Sequence, residues 1–151
     1  PIVSLVDEPG FLIGPDAEKA GTILHGTEAV LATTESSVPW TTIMIRKSFG
    51  VAAAAHYGPD GYVLAWPSAE SGPLPLEGGV AVAFKKEIAE AKDPEAKRKE
   101  LEEKMAKNQN PFPRAEAFSV HEIIDPRETR KYISLWAERI QSQLRANLVN
   151  R

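Results

Sequence analysis

The stretch Pro39-Trp-Thr-Thr-Ile-Met-Ile-Arg-Lys-Ser-Phe-Gly-Val-Ala-Ala-Ala-Ala55 decides how the rest of the chain is read. Its first seven residues, Pro39 to Ile45, are rich in aromatic and β-branched side chains and predict a strand. Beyond the single Gly50 come small residues that favour helix. A strand passing through one Gly into a helix belongs to an α/β unit, and such sheets bind ligands at the carboxyl ends of their strands. Gly at that point lets the backbone approach a ligand closely. The residues after it open a helix, so their N–H groups have no intrahelical acceptor and lie at its positive end. Two such groups can hold a developing negative oxygen, the arrangement of an oxyanion hole. A buried helix of Ala, small for tight packing, fits the same spacing.

Working upstream, Ile2-Val-Ser-Leu-Val6 is a short apolar run of the kind buried on both faces of a parallel sheet. The loop Asp7-Glu-Pro-Gly-Phe-Leu-Ile-Gly-Pro-Asp16 follows, and Asp16 is placed to cap a helix through about Glu35, with Ile23, Val30 and Leu31 among its apolar positions. Two strands joined by a helix of that length form a right-handed parallel crossover. Downstream, Tyr62–Trp66 is a third strand candidate, ended by Pro67. The fold class is α/β.

Composition divides the chain unevenly. All ten Gly and eight of twelve Pro fall before residue 80, with three Lys or Arg against eight acids in the first 75 residues. Loops of specific shape around a packed core fit that half, giving a core over about 1–80. The charged, Gly-poor remainder reads as a helical and interface region over about 81–151. There Glu77-Gly-Gly precedes a helical run through Val80, Val82, Phe84 and Ile88, and Asp93-Pro94 starts another helix. On that second helix Glu95/Lys99, Glu100/Lys104 and Glu103/Lys107 are i,i+4 pairs in the favourable order. Asn110-Pro-Phe-Pro113 turns into a short helix, and Ser119–Ile124 is a short strand. Asp125-Pro-Arg-Glu128 opens a last helix whose Ile133, Trp136, Ile140 and Leu144 form one apolar stripe, for packing within the chain or for contact between subunits.

The bulk numbers exclude several classes. A net charge of −3 lacks the electrostatic footprint of a nucleic-acid binder. With no Cys, disulfides, thiolate metal sites and Cys nucleophiles are absent together, as suits a reducing compartment. No apolar run approaches the roughly 20 residues that cross a bilayer, and no signal peptide is evident, so a soluble, cytoplasmic protein is expected. No Gly-x-Ser-x-Gly elbow, phosphate loop, Gly-x-Gly-x-x-Gly or His-Glu-x-x-His occurs. His25, His56 and His121 stand too far apart in sequence to suggest a metal cluster, and no metal is expected. Asp7-Glu8, at a strand end, can serve as acid or base or simply cap its loop.

Eight short motifs then fall in a family's order. They are Val6-Asp-Glu-Pro-Gly-Phe-Leu, His25-Gly, Val38-Pro, Ile45-Arg-Lys-Ser-Phe-Gly, Ala65-Trp-Pro-Ser-Ala-Glu70, Glu77-Gly-Gly-Val80, Asn110-Pro-Phe-Pro113 and Ile124-Asp-Pro-Arg-Glu-Thr-Arg130. Together the chain resembles the carboxyltransferase component of biotin-dependent acyl-CoA carboxylases, such as the propionyl-CoA carboxylase β subunit, in its C-terminal half only. The resemblance implies a crotonase-like α/β fold, a superhelix of ββα units with a helical C-terminal extension. It implies transfer of a carboxyl group between carboxybiotin and an acyl-CoA substrate, with the α-proton taken by the biotin ureido group rather than by a side chain. The biotin is carried by a partner domain or protein. The implied partners are the N-terminal carboxyltransferase half, a biotin carboxyl carrier and a biotin carboxylase, in a homo- or hetero-oligomer, with no nucleic acid or membrane. The implied location is the cytoplasm, or the mitochondrial matrix of a eukaryote.

By the same resemblance, the turn whose amides hold the ureido oxygen aligns with Gly50-Val51-Ala52. The backbone N–H groups of Val51 and Ala52 are thus the expected oxyanion hole, with Phe49, Gly50, Ala53 and Ala54 at the biotin and acyl pocket. Val51 stands where the family has a second Gly; if the turn needs a Gly-like conformation there, the hole is altered. Ser71-Gly-Pro-Leu-Pro75 also departs from the family's apolar run. Two other readings follow: a biotin-dependent acyl-CoA decarboxylase subunit, or a non-catalytic subunit keeping the fold for assembly. Val51 and Ala52 N–H groups that converge on one empty point favour an enzyme, and N–H groups satisfied by backbone carbonyls favour a scaffold. The chain alone, without the thioester-binding half, is expected to be inactive.

Overall fold

Between Trp40 and Ile45 no charged residue interrupts the apolar and β-branched run, and that segment lies at the centre of the computed structural model, which describes residues 1–149. It belongs to β2 (Trp40–Phe49), longer than predicted by four residues at its carboxyl end. On one flank β2 pairs with β1 (Ile2–Glu8). On the other it pairs in succession with β3 (Tyr62–Ala65), opposite Thr41 to Met44, and β4 (Glu70–Gly72), opposite Lys47 to Phe49. β5 (Glu122–Ile123) adds to the far side of β3. Every one of these pairings is parallel.

Parallel neighbours need crossovers. Between β1 and β2 lie α1 (Pro15–Lys19) and α2 (Thr22–Thr34) rather than one helix from Asp16. The break is at Gly21, held left-handed at φ 71°, and the first cap is Gly14, with Pro15 supplying a preset φ behind it. α3 (Gly50–Ala54) joins β2 to β3.

Because alternate residues of a strand face opposite sides, β2 and β3 build two cores. Met44, Val63 and Ala65 pack with Ala69 and Val120 on one face, and Ile43 and Leu64 pack with Ile124 on the other. β1 departs from the expectation of burial on both faces: Val6 is fully buried, but Ile2, Val3 and Leu5 are exposed. Its place at the edge of the described sheet leaves one flank and much of its surface uncovered.

The second half follows the sheet as helices: α4 (Leu76–Ala83), α5 (Lys85–Ala89), α6 (Pro94–Gln109) and α7 (Pro111–Glu116). The run expected through Val80 and Ile88 breaks at Phe84, whose φ of −114° and ψ of 23° leave the helical region. Asp93 caps α6 through Ala96 N–H at 3.0 Å, as its sequence suggests. The ion pairs on α6 differ from those expected. Lys97 meets Glu87 of α5 at 3.1 Å and Glu100 at 3.1 Å, and Arg98 meets Glu102 at 2.7 Å, because Lys97 faces the neighbouring helix rather than open solvent. Asp125 caps a 3-10 turn over Pro126–Glu128, which leads into α8 (Thr129–Arg139) and then α9 (Gln141–Val149). The apolar stripe is split between these helices. Ile133 packs on the Ile43 cluster, Trp136 and Ile140 are buried, and Leu144 is half-buried.

Candidate functional site

The carboxyl end of β2 opens onto a cavity of about 660 Å³. Each wall has a local cause. At the base, Phe49 ends the strand and Gly50 turns the chain with φ 64°, a left-handed conformation in which a branched side chain would be strained. The positive φ falls on Gly50 and not on Val51, which sits in the first turn of α3 in ordinary helical conformation. A second wall is the loop after β1. Its Phe11 ring lies over Gly26 of α2, so close that a Cβ on Gly26 would stand 2.2 Å from the ring. Ile23 and Thr27 of the same helix line the cavity beside it. A third wall, Pro73 to Pro75, follows β4, and the fourth is α4 with Gly78, Gly79 and Val82.

Among the described residues no lining side chain of this cavity is titratable, and the one side-chain hydroxyl among them, on Thr27, donates to the Ile23 carbonyl at 2.8 Å. Polar groups on offer are therefore backbone. Among the described residues, neither the Val51 nor the Ala52 amide donates to a protein acceptor. They stand in the first turn of α3, where the helix supplies none. An apolar surround makes a hydrogen bond to such donors electrostatically stronger than it would be in water.

Of the residues singled out from sequence, Phe49, Gly50, Val51 and Ala52 line the cavity together. Ala53 packs into the core at 6% exposure, and Ala54 is exposed; neither lines the cavity. The Val51 side chain is 66% exposed at its mouth. Asp7 and Glu8 brace their loop instead of facing the cavity. Asp7 accepts from Arg46 Nε at 3.0 Å and from the Lys47 N–H at 3.2 Å, and Glu8 accepts from the Gly10 N–H at 2.9 Å. The Arg46 guanidinium holds the Asp7 carboxyl below its usual range. His56 lies behind α3, its Nδ1 3.3 Å from Ser4 Oγ and its carbonyl taken by Trp40 Nε1 and Thr42 Oγ1. His121 is exposed at the sheet edge and accepts from the Val63 N–H at 2.9 Å, while His25 stands exposed beside Glu28.

Sequence reasoning missed Phe11, Ile23, Leu74 and Val82 as wall residues. They are far apart in the chain and carry no chemical signature; the fold alone gathers them. One partial signal is the pair Pro73 and Pro75, whose fixed φ makes a stiff strap where the sequence departs from the family's apolar run.

Comparison with known proteins identifies relatives of this chain. The carboxyl transferase domain model matches residues 1–151. The chain is 40% identical over 135 residues to the carboxyltransferase subunit of propionyl-CoA carboxylase from Haloferax mediterranei, covering 86% of this chain and 26% of that one. It is 41% identical over 138 residues to the methylmalonyl-CoA carboxyltransferase 12S subunit of Propionibacterium freudenreichii subsp. shermanii, covering 89% and 26%. It thus spans about a quarter of the length of these relatives. The crystal structure of a transcarboxylase 12S hexamer, with methylmalonyl-coenzyme A bound, superposes with a TM-score of 0.82 at 39% identity, covering 93% of this chain and 28% of that one. The β subunit of a geranyl-CoA carboxylase from P. aeruginosa shares the fold, with a TM-score of 0.77 at 22% identity over 90% of this chain and 27% of that one. The parallel α/β architecture is crotonase-like. With a turn of free amides at the end of its central strand and a domain match along its whole length, the chain belongs to the carboxyl transferase domain family.

Proposed function

We propose that this chain forms the biotin-receiving part of a carboxyltransferase that moves a carboxyl group between carboxybiotin and an acyl-CoA. The observation that carries the reading is the pair of unclaimed amides, Val51 and Ala52, at the floor of a cavity whose described lining residues carry no charge. A cyclic urea fits such a floor: its carbonyl oxygen accepts hydrogen bonds, and its ring system is apolar enough for walls of Phe, Leu and Val. Bound as the carboxylated cofactor, biotin supplies the carboxyl group and, once freed of it, the basic nitrogen. The chain's own contribution is binding and electrostatics. Val51 and Ala52 donate to the urea oxygen where negative charge gathers, Gly50 sets the turn that aims them, and the apolar walls exclude water. The absence of a side-chain base among the described lining residues agrees with this division of labour.

Residues 1–80 carry the site in this reading, and 81–151 supply scaffold and contact surface. The remaining carboxyltransferase segment that binds the thioester, a biotin carboxyl carrier and a biotin carboxylase complete the assembly, in the cytoplasm or the mitochondrial matrix. Oligomerisation is supported by the hexamer of the transcarboxylase 12S relative.

The test is an assay of the complete enzyme with labelled carboxybiotin and a short acyl-CoA. Carboxylated acyl-CoA is expected from the wild type. Val51→Pro deletes one donor in the first turn of α3 and also constrains the Gly50 turn before it, so kcat should fall by about a hundredfold or more. Unchanged turnover in that variant would remove the amide from the mechanism.

A further inference from the structure

Gln109 closes α6 and is only 5% exposed, a long polar side chain turned inward from an otherwise charged and solvated helix. Its Nε2 donates to the Leu74 carbonyl, 2.9 Å away. Its Oε1 is buried without a partner. A side-chain amide left half-satisfied in the interior is costly, and the one bond it keeps leads to the cavity wall. Pro73 and Pro75 on either side of Leu74 have no N–H to tie that segment down. Among the described residues no backbone N–H reaches the Leu74 carbonyl. The other side of the strap faces the turn: a Cβ on Gly50 would stand 3.4 Å from the Pro73 carbonyl oxygen. Gln109 also lies over Gly72, where a Cβ would stand 3.6 Å from its Nε2 and 3.5 Å from the Phe49 ring. Contacts thus run from Gln109 through Leu74 and Pro73 to Gly50, one residue before the two free amides.

The geometry points to Gln109 as a positioning residue that clamps the Gly72–Pro75 strap against the Gly50 turn, aiming the Val51 and Ala52 amides and fixing the inner wall of the cavity. This inference rests on the role proposed above for those amides. Misplacing a reacting group by about 1 Å can cost about a hundredfold in rate, so a clamp at this distance has leverage on the chemistry.

The complete enzyme with its biotin-bearing partner tests it through two variants. Gln109→Met keeps the volume and removes the amide; Gln109→His restores an N–H the same number of bonds from Cα. In Gln109→Met, kcat and kcat/KM should fall together by about tenfold with KM for the acyl-CoA unchanged. Hydrogen exchange should quicken in peptides spanning 47–54 and 70–76, and Gln109→His should restore both properties. A lower melting temperature with kcat and exchange at 47–54 unchanged would overturn the assignment and leave Gln109 as mere packing. The exchange measurement needs no turnover. If the wild-type enzyme transfers no carboxyl group, the proposed function fails; faster exchange at 47–54 in Gln109→Met then still supports the clamp, and unchanged exchange overturns it.

Discussion

Phe118 holds a left-handed backbone, with φ 57° just beyond the end of α7 and a side chain 88% exposed. The left-handed region strains residues with a Cβ, and an exposed ring returns little from burial. Phe118→Gly should therefore stabilise the fold by about 0.5–1 kcal/mol in urea unfolding, despite the added freedom of the unfolded chain. Tyr62 makes a different prediction. Burial first, and then its hydrogen bond to Glu122, push its phenol up to about 12. The neutral form is the one the fold favours, so the associated stability is complete below pH 10 and lost as pH rises through about 12. Alkaline absorbance titration should show a step near pH 12 that Tyr62→Phe lacks; all tyrosines titrating near pH 10 would contradict this.

At the level of single elements, the fit between α2 and its covering loop is tight enough to measure. Gly26→Ala would drive a methyl into the Phe11 ring. Overpacking costs about 1–3 kcal/mol and the gain in helix propensity returns about 1, leaving a net loss near 1 kcal/mol in thermal melts. On α6, Lys97 is shared by Glu87 and Glu100, so Lys97→Met should destabilise at low salt by an amount that 1 M salt erases. These elements also show what the primary structure discloses. β2, β3 and the α6 start were legible because strand propensity and an Asp-Pro cap are local signals. The break at Gly21 was not, since a Gly inside a helical run is compatible with continuity until tertiary packing bends it. β4 was hidden by its three-residue length and by the prolines that follow it at 73 and 75, and the ion partners of Lys97 depend on a helix ten residues away. For the site, the Gly50 turn could be read along the strand. Its walls and the Gln109 clamp could not, because residues as far apart as 11, 74 and 109 meet only in the folded chain.

Over the whole molecule, apolar surface remains uncovered: Ile2, Val3 and Leu5 on β1, Ile23, Leu24 and Leu31 on α2, and Val82 on α4. Surfaces of this kind mark contact with further protein. The 151-residue chain alone should bind an environment-sensitive hydrophobic dye and show no carboxyl transfer, whereas the assembled enzyme should bind far less dye per chain. Strong transferase activity of the chain alone would contradict this. The all-parallel ladder has a consequence for how the protein is made. Among the described strands no hairpin seeds the sheet, since each must wait for a crossover before its neighbour arrives. The oily middle of β2, Thr41 to Met44, gains its second flanking strand only once Ala65 has left the ribosome, and the carboxyl end of β2 gains β4 only once Gly72 has. Sheets whose every pairing is non-local in this way fold slowly and stay exposed to aggregation for longer than hairpin-built ones.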